Sequence, residues 1–198
     1  VISDVKNYDP TKMIIKVKIG ISNRHVHLTE ETYNKLFTEK IDLYKNLNQV
    51  GEFASNKKVT LKTDKFEIPN VRVLGPFRKY NQIEISRSDA IKLGLNPPVA
   101  NSGDLLQAEE ITLVTDKSSI KVKGCILAHR HVHMTPDEAL KYGVKNYQPV
   151  KLIVNGNKGG VLNANVKISD NGYYEAHIDT DEAAAFGLNN GDEVELEI

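Results

Sequence analysis

The histidines of this sequence are concentrated in two short, matching runs. Five of the six lie within residues 22–30 and 128–136, and both runs contain Arg-His-Val-His followed by an apolar residue and Thr. Side chains two apart on a strand leave from the same face, so each His-Val-His presents two imidazoles together. Two neutral imidazoles suit zinc, copper, iron or nickel better than magnesium or calcium. A single copy would fit exposed polar alternation on a strand equally well, but two copies favour metal binding.

An internal repeat extends this pattern beyond the histidine runs. Residues 84–95 align with residues 177–188, and in that alignment Glu84 falls opposite His177, the only histidine outside the two runs. Taken alone, an exposed strand carboxylate would explain Glu84 and a surface histidine would explain His177. Each half therefore offers two imidazoles and one further ligand-type side chain: His25, His27 and Glu84 in the first half, and His131, His133 and His177 in the second. Three protein ligands with an open position are typical of a catalytic metal site, whereas a structural zinc site has four.

Short elements must position these side chains. Alternating apolar residues predict a mainly β fold, and residues 46–56 are predicted to be irregular. Capping residues predict short helices that begin after Thr29, Ser86, Thr135 and Asp179, and stop glycines end three of them at Gly94, Gly143 and Gly187. The predicted organisation is an N-terminal tail over 1–13, a first domain over 14–115 and a second over 116–198, with strands allowed to cross the approximate boundary.

Composition excludes several classes of function. A formal net charge of +0 gives no electrostatic case for nucleic acid as a partner. The single cysteine, Cys125, excludes an internal disulfide framework and a four-thiolate zinc site. No apolar run approaches the roughly 20 residues of a membrane-spanning helix, and the first residues lack the apolar core of a secretory signal. The sequence therefore predicts a cytoplasmic protein with no membrane partner.

Further motifs follow one another along the chain. They are Val-Leu-Gly-Pro-x-Arg-Lys at 73–79, Gln-Ile-Glu-Ile-Ser at 82–86, Ser-Gly-Asp-Leu at 102–105 and His-Ile-Asp-Thr-Asp-Glu-Ala at 177–183. Together with the histidine runs, they resemble the phosphate propanoyltransferases of the PduL type, phosphotransacylases associated with bacterial microcompartments. The resemblance covers about residues 14–198. It implies two small β-barrel domains with short helices, two zinc ions at their junction, and interconversion of short-chain acyl-CoA (propanoyl-CoA or acetyl-CoA) plus phosphate with acyl phosphate plus coenzyme A.

The same resemblance implies a role for particular residues. The His25, His27 and Glu84 group would hold one metal, which also meets the coenzyme A sulfur, and the His131, His133 and His177 group would hold the other. Arg78 would be the catalytic arginine that binds phosphate. The remaining roles are phosphate binding by Ser102 and Gly103, and coenzyme A binding by Ser22, Arg72, Leu74 and His177. His129 is left out, because its counterpart in the repeat, Asn23, is not a metal ligand.

Two alternative functions remain open at this stage. His25-x-His27-x-x-x-Glu31 loosely fits a cupin-like oxygenase or isomerase with one metal, although a carboxylate in a first helical turn is also explained by capping. The other alternative is a non-catalytic metal-binding module, which would not need Arg78. The preferred acyl chain, enclosure in a microcompartment as cargo, assembly into a homo-oligomer and the native metal are not decided by the sequence.

Overall fold

The structure is a computed structural model that describes residues 12–198, and short strands dominate it. Most of the predicted tail, residues 1–11, lies outside the described residues. The strands are β1 (Ile14–Ser22), β2 (His25–His27), β3 (Lys45–Asn46), β4 (Phe53–Lys62), β5 (Glu67–Gly75), β6 (Gln82–Glu84), β7 (Val99–Ala100), β8 (Glu109–Val114), β9 (Ser119–Ala128), β10 (His131–Met134), β11 (Pro149–Val154), β12 (Gly160–Ile168), β13 (Glu175–Asp179) and β14 (Glu193–Glu197). The helices are α1 (Glu30–Leu36), α2 (Arg87–Leu93), α3 (Pro136–Tyr142) and α4 (Thr180–Phe186).

The strands form two six-stranded barrels. One has the strand order β1-β13-β10-β12-β11-β14 and is closed by the pairing of β14 with β1. In the other, β4-β5-β2-β6-β9 is closed by β8, which pairs both β9 and β4. The short β3 and β7 extend this ring at its margins; because most of its strands come from the first half it is named the first barrel, and the ring that contains β10 to β14 is named the second barrel. The predicted mainly β fold with two small barrels and short helices is therefore confirmed.

The repeat is visible strand by strand, except that each half contributes one strand to the ring of the other half. Strands β4, β5, β2 and β6 of one ring correspond to β11, β12, β10 and β13 of the other. The strand before each His-Val-His motif, however, joins the ring of the other half: β1 pairs β13 and β14, and β9 pairs β6 and β8. The two rings are therefore linked by an exchanged strand in each direction. The limits 14–115 and 116–198 follow the repeat, and as domain limits they remain a prediction.

Each ring has its own apolar core. Val26 and Val132, at the centre of the His-Val-His motifs, are fully buried, each in the core of its own ring. Because side chains alternate along a strand, the flanking histidines point away from these cores, to the outer face of each barrel. The barrel walls thus turn both pairs of imidazoles outward.

The helices begin and end where the sequence predicts. Thr29, Ser86, Thr135 and Asp179 each cap a helix through a side-chain oxygen. Glycines in the left-handed conformation end α2, α3 and α4, where only a residue without a Cβ is free of strain. One prediction was wrong: residues 53–56, expected to be irregular, are the start of β4, where Ser55 is buried and donates to the carbonyl of Val73. Within residues 12–198, no helix has the length and apolar character needed to cross a membrane.

Candidate metal and phosphate site

Strand pairing brings together the three predicted ligands of the first half. His25 and His27 lie on β2, and β6 runs antiparallel beside it so that Glu84 pairs directly with His25. One potential ligand atom from each of the three side chains lies within 4.8 Å of the others. Glu31 does not join this group. It is exposed on α1 and bonded to Lys35 at 2.7 Å, which removes the carboxylate on which the cupin-like alternative depended.

The second half repeats the arrangement. His131 and His133 lie on β10, and His177 on β13 pairs with His131 as Glu84 pairs with His25. These three side chains also bring one ligand atom each to within 4.8 Å of the others. The six residues predicted to bind metal are thus placed as two groups of three, here named the first triad (His25, His27, Glu84) and the second triad (His131, His133, His177).

Hydrogen bonds fix the imidazoles in a form that can bind a cation. The Nδ1 atoms of His25 and His131 each donate to a backbone carbonyl two residues earlier, at 2.8 Å. In the neutral ring, Nε2 is then the nitrogen with the lone pair. His25 Nε2 lies 2.5 Å from Glu84 Oε2, and His131 Nε2 lies 3.0 Å from Nε2 of His133. The Nδ1 atoms of His27 and His133 are buried without a described partner, which is costly unless the ring has another contact. This donor set fits a borderline-soft metal such as zinc.

The protonation states also suit metal ligands. Burial, followed by the charge of neighbouring imidazoles, lowers the pKa of His131 to about 4 and that of His133 to about 2, and it lowers the pKa of His27 well below its usual value. For Glu84, burial alone would raise the pKa, but the charge and hydrogen bond of His25 outweigh it and the pKa is lowered. Burial alone would lower the pKa of His25, but the charge and hydrogen bond of Glu84 outweigh it and the pKa is raised, so without a metal this ring shares a proton with Glu84. Neutral imidazoles and an ionised carboxylate are the forms that bind metal.

The predicted phosphate-binding residues lie together and are joined to the first triad. Nη1 of Arg78 donates to the hydroxyl of Ser102 at 3.0 Å. Gln82 donates to the same hydroxyl at 3.1 Å and to Glu84 Oε1 at 2.8 Å, and it accepts from the backbone N–H of Gly103 at 2.8 Å. Gln82 therefore connects Arg78 and Ser102 to the carboxylate of the first triad.

Sequence reasoning missed two residues of this network. Gln82 is completely buried and pairs with His27 across the strands, and its position two before Glu84 on the same strand face could have indicated its place. Glu52 accepts from Nη2 of Arg78 at 2.9 Å. No local pattern links Glu52 and Arg78, because the two residues are 26 positions apart and meet only in the fold.

A cavity of about 640 Å³ lies between the two barrels and unites these groups. Both triads, Arg78 and Ser102 line it, together with the residues predicted to contact coenzyme A, namely Ser22, Arg72 and Leu74. Arg72 lies over the ring of Tyr44, 4.9 Å from its centroid, and also donates to the carbonyl of Ser55. The lysines in the wall, which the sequence did not single out, are Lys45, Lys58 and Lys167. Lysine side chains at these positions suit an anionic ligand.

Two residues with reactive side chains have other roles. Burial raises the pKa of the Cys125 thiol to about 12, so a nucleophilic thiolate is not available at neutral pH. His129 is outside both triads: its Nδ1 donates to the carbonyl of Arg130, and its own carbonyl accepts from His131. His129 lines the cavity beside the triads without belonging to either.

Comparison with known proteins gives one consistent result. Residues 18–189 match the family model described as phosphate propanoyltransferase. A phosphate propanoyltransferase of Thermotoga maritima is 44% identical over 88% of this chain and 85% of its own length. One from Priestia megaterium is 45% identical over 92% and 86%, respectively. One from Rhodobacter capsulatus is 42% identical over 88% and 83%.

Proposed function

This chain belongs to the phosphate propanoyltransferase family, and we propose that it interconverts propanoyl-CoA plus phosphate with propanoyl phosphate plus coenzyme A. In this proposal acetyl-CoA can replace propanoyl-CoA as the acyl donor. The observation that supports the proposal most directly is the cavity, in which two ligand triads lie beside an arginine and a hydroxyl suited to phosphate. The alternative of a non-catalytic module loses its basis, because the family to which the chain belongs consists of enzymes.

The proposal includes two zinc ions per chain. His25, His27 and Glu84 would hold one ion, and the second triad would hold the other. When bound, zinc supplies a Lewis acid that can meet a carbonyl oxygen or a thiolate. Three ligands from the protein would leave each ion a position for such an oxygen or sulfur atom.

Arg78 binds phosphate in this proposal. Its planar guanidinium has five N–H donors, of which Ser102 and Glu52 take one each in the structure. The remaining donors suit a tetrahedral oxyanion. The hydroxyl of Ser102 lies beside Arg78, and the N–H of Gly103 is bonded to Gln82, so in this proposal phosphate takes the place of Gln82 as the partner of Gly103. Because Glu52 is also an anion, phosphate competes with it for Arg78.

The reaction needs no covalent acyl-enzyme. A phosphate oxygen attacks the thioester carbonyl carbon, the C–S bond breaks, and the coenzyme A thiolate leaves. Attack and departure both occur at the substrate, which agrees with the unreactive state of Cys125. Coenzyme A is held in this proposal by Ser22, Arg72, Leu74 and His177, all of which line the cavity.

One assay tests the reaction. Zinc-loaded protein is incubated with propanoyl-CoA with and without phosphate, and free thiol and acyl phosphate are measured together. We expect the two products in equal amounts and only when phosphate is present. Thiol release without phosphate would indicate a hydrolase, and no release of thiol would contradict the proposal.

Metal analysis of the same preparation tests the two-ion proposal. We expect about two zinc or similar divalent ions per chain after mild dialysis, one for each triad. Replacing Glu84 with Ala should lower the occupancy of the first triad and leave the second largely filled. A wild-type protein that retains one ion, or none, would contradict this part of the proposal.

The family resemblance also supports a proposal about location. We place the enzyme in the cytoplasm, as cargo inside a bacterial microcompartment, and as a homo-oligomer. Fractionation of cells that contain assembled shells should recover the protein with the shell proteins, and light scattering gives its mass. Recovery only in the shell-free fraction would contradict the cargo proposal.

A further inference from the structure

Two side chains outside the triads contact the ring of His177. Oε1 of Glu175 lies 3.0 Å from His177 Nε2, and the hydroxyl of Tyr173 lies 2.6 Å from the same nitrogen. Tyr173 also stacks on the ring of His133, with a centroid distance of 5.0 Å and an angle of 20° between the rings. The second triad is therefore supported by a carboxylate and a phenol for which the proposed reaction gives no role.

The neighbours of β13 define which ring edge of His177 faces the triad. Gly20 on β1 pairs with His177 from one side, and His131 on β10 pairs with it from the other. A Cβ atom on Gly20 would lie 3.0 Å from Cδ2 of His177 and 2.1 Å from Oε1 of Glu175. The edge that carries Cδ2 and Nε2 therefore faces β1 and Glu175. Nδ1 lies on the opposite edge of the ring, away from β1 and Glu175, and the ring of His177 lies 5.3 Å from that of His131 and 4.6 Å from that of His133 between centroids.

We propose that Glu175 is a positioning residue of the second triad: its carboxylate accepts the Nε2–H of His177 and leaves Nδ1 as the atom that faces the metal. This inference rests on the proposed metal binding. A carboxylate on the distal nitrogen of a metal-binding histidine fixes the tautomer and the ring orientation and raises the basicity of the ligand. The oxygen of Tyr173, 2.6 Å from the same nitrogen, shares the Nε2–H as a second acceptor in this proposal.

The repeat explains why a carboxylate occupies this position. Glu175 pairs with His133 as Gln82 pairs with His27, so the two residues are equivalent. In the first half the carboxylate is a member of the triad and its neighbour is a neutral amide. In the second half the triad contains only imidazoles and the neighbour is the carboxylate. Each half therefore combines its imidazoles with one carboxylate. In the second half that carboxylate contacts a ligand of the proposed metal and not the metal itself.

Gly20 has a part in this arrangement. A side chain at position 20 would occupy the space of the Glu175 carboxylate, because its Cβ would lie 2.1 Å from Oε1. The atom that must move is the end of a flexible side chain. Gly20→Ala therefore offers a way to displace Glu175 without changing its charge.

Histidine tautomers provide the first test. In protein labelled with ¹⁵N-histidine, two-bond proton–nitrogen spectra distinguish a protonated Nε2 from a protonated Nδ1. We expect His177 in the metal-free protein to carry its proton on Nε2, and its Nδ1 signal to shift when zinc is added. A His177 ring protonated on Nδ1 would overturn the proposal. Because this spectrum is recorded without metal, it decides the inference even if the wild-type protein binds no zinc.

Matched variants provide the second test. Glu175→Gln and Gly20→Ala should each weaken zinc binding at the second triad by roughly 10- to 100-fold, with the first triad unchanged. Zinc titration against a chelator, followed through the histidine signals, separates the two sites. Glu193→Gln, which alters an exposed carboxylate on β14, should leave both affinities unchanged. If Glu175→Gln retains wild-type zinc affinity and the wild-type His177 tautomer, Glu175 does not position the ring.

Discussion

The guanidinium of Arg78 has one hydroxyl partner and one carboxylate partner. Its bonds to Ser102 and Glu52 orient the plane of the group before any substrate binds. A lysine could reproduce the charge, but its ammonium is a point charge with no fixed fork. If Arg78 binds phosphate as proposed, its contribution depends on geometry as well as charge.

Replacing Arg78 with Lys or Ala should each lower turnover by roughly 100-fold or more, the usual loss when one donor to developing charge is removed. The measurement is phosphate-dependent release of coenzyme A from propanoyl-CoA. Zinc content and melting temperature should stay near wild type, because Arg78 belongs to neither triad. Arg87→Lys, on the exposed surface of α2, is the matched control. Full activity in Arg78→Lys would show that the planar donor geometry of the guanidinium is not needed. Loss of metal from either variant would indicate a structural role for Arg78.

Gln82 offers a second test at the scale of single residues. Gln82→Leu preserves the volume of this buried side chain but leaves Glu84 Oε1 and the N–H of Gly103 without their partner. We expect the free energy of unfolding to fall by about 1–3 kcal/mol. Zinc affinity at the first triad should fall by roughly 10- to 100-fold, the usual effect of removing an outer hydrogen bond. The second triad is the internal control, and an equal loss from both triads in a zinc titration would contradict a local role.

At the scale of elements, an arginine connects each His-Val-His strand to a helix. Arg24, just before β2, forms a two-bond ion pair with Asp89 at 2.8 and 2.9 Å, and Asp89 also completes the N-terminal capping box of α2. Arg130, just before β10, contacts Glu182 in the capping box of α4 at 3.0 Å. The equivalent ion pairs fix each histidine strand against the helix that follows the third ligand.

The Asp89 contact gives stability a pH dependence. Burial alone would raise the pKa of Asp89, but the hydrogen bonds and charge of Arg24, together with Ser86, outweigh it and lower the pKa. The ionised carboxylate therefore stabilises the fold above its unfolded pKa of about 3.9, and this contribution is lost as pH falls through the folded pKa.

Asp89→Asn should lower the free energy of unfolding by about 2 kcal/mol at pH 7, the scale of a hydrogen bond to a charged group. As the pH falls from about 4 through the folded pKa of Asp89, the wild type should lose more stability than the variant, because the variant has no carboxylate to protonate at this position. Urea unfolding at several pH values measures both effects. Asp116→Asn, at an exposed turn, is the control. Parallel pH profiles for Asp89→Asn and wild type would contradict this explanation.

Sequence periodicity predicted the strands and capped helices because both signals are local. The triads were predictable because the repeat supplied a second copy of each ligand. Gln82 and Glu175 each contact a triad residue two positions further along the same strand, so their spacing could have indicated them. Glu52 has no local signal, because it meets Arg78 only through the turn that follows β5.

The exchange of β1 and β9 could not be predicted from the repeat. The two strands are equivalent in sequence, so their apolar alternation fits either barrel equally well. Only the pairing partners distinguish the arrangements, and β1 joins β13 and β14 while β9 joins β6 and β8. The family assignment predicted from the motifs is confirmed by the comparisons, and it did not depend on the exchange.

At the scale of the whole molecule, the exchanged strands tie the two barrels into one structure. Neither ring closes with strands from its own half alone. Further contacts join the halves, including a hydrogen bond of 2.8 Å from the N–H of Ser88 to Asp181 and one of 3.0 Å from Asn171 to the carbonyl of Val50. Because the cavity lies between the barrels, their relative position also determines the distance between the triads.

We therefore expect the two barrels to unfold in a single cooperative transition. Leu196→Ala, a fully buried position in the second core, should lower the free energy of unfolding by about 2–5 kcal/mol. In the wild type, the amide signals of Val73 in the first barrel and Val166 in the second should be lost at the same denaturant concentration. In Leu196→Ala both should be lost together at a lower concentration. Leu140→Ala, at an exposed position on α3, should leave the midpoint unchanged. If Val73 kept its wild-type midpoint while Val166 shifted, the barrels would be independent folding units despite the exchanged strands.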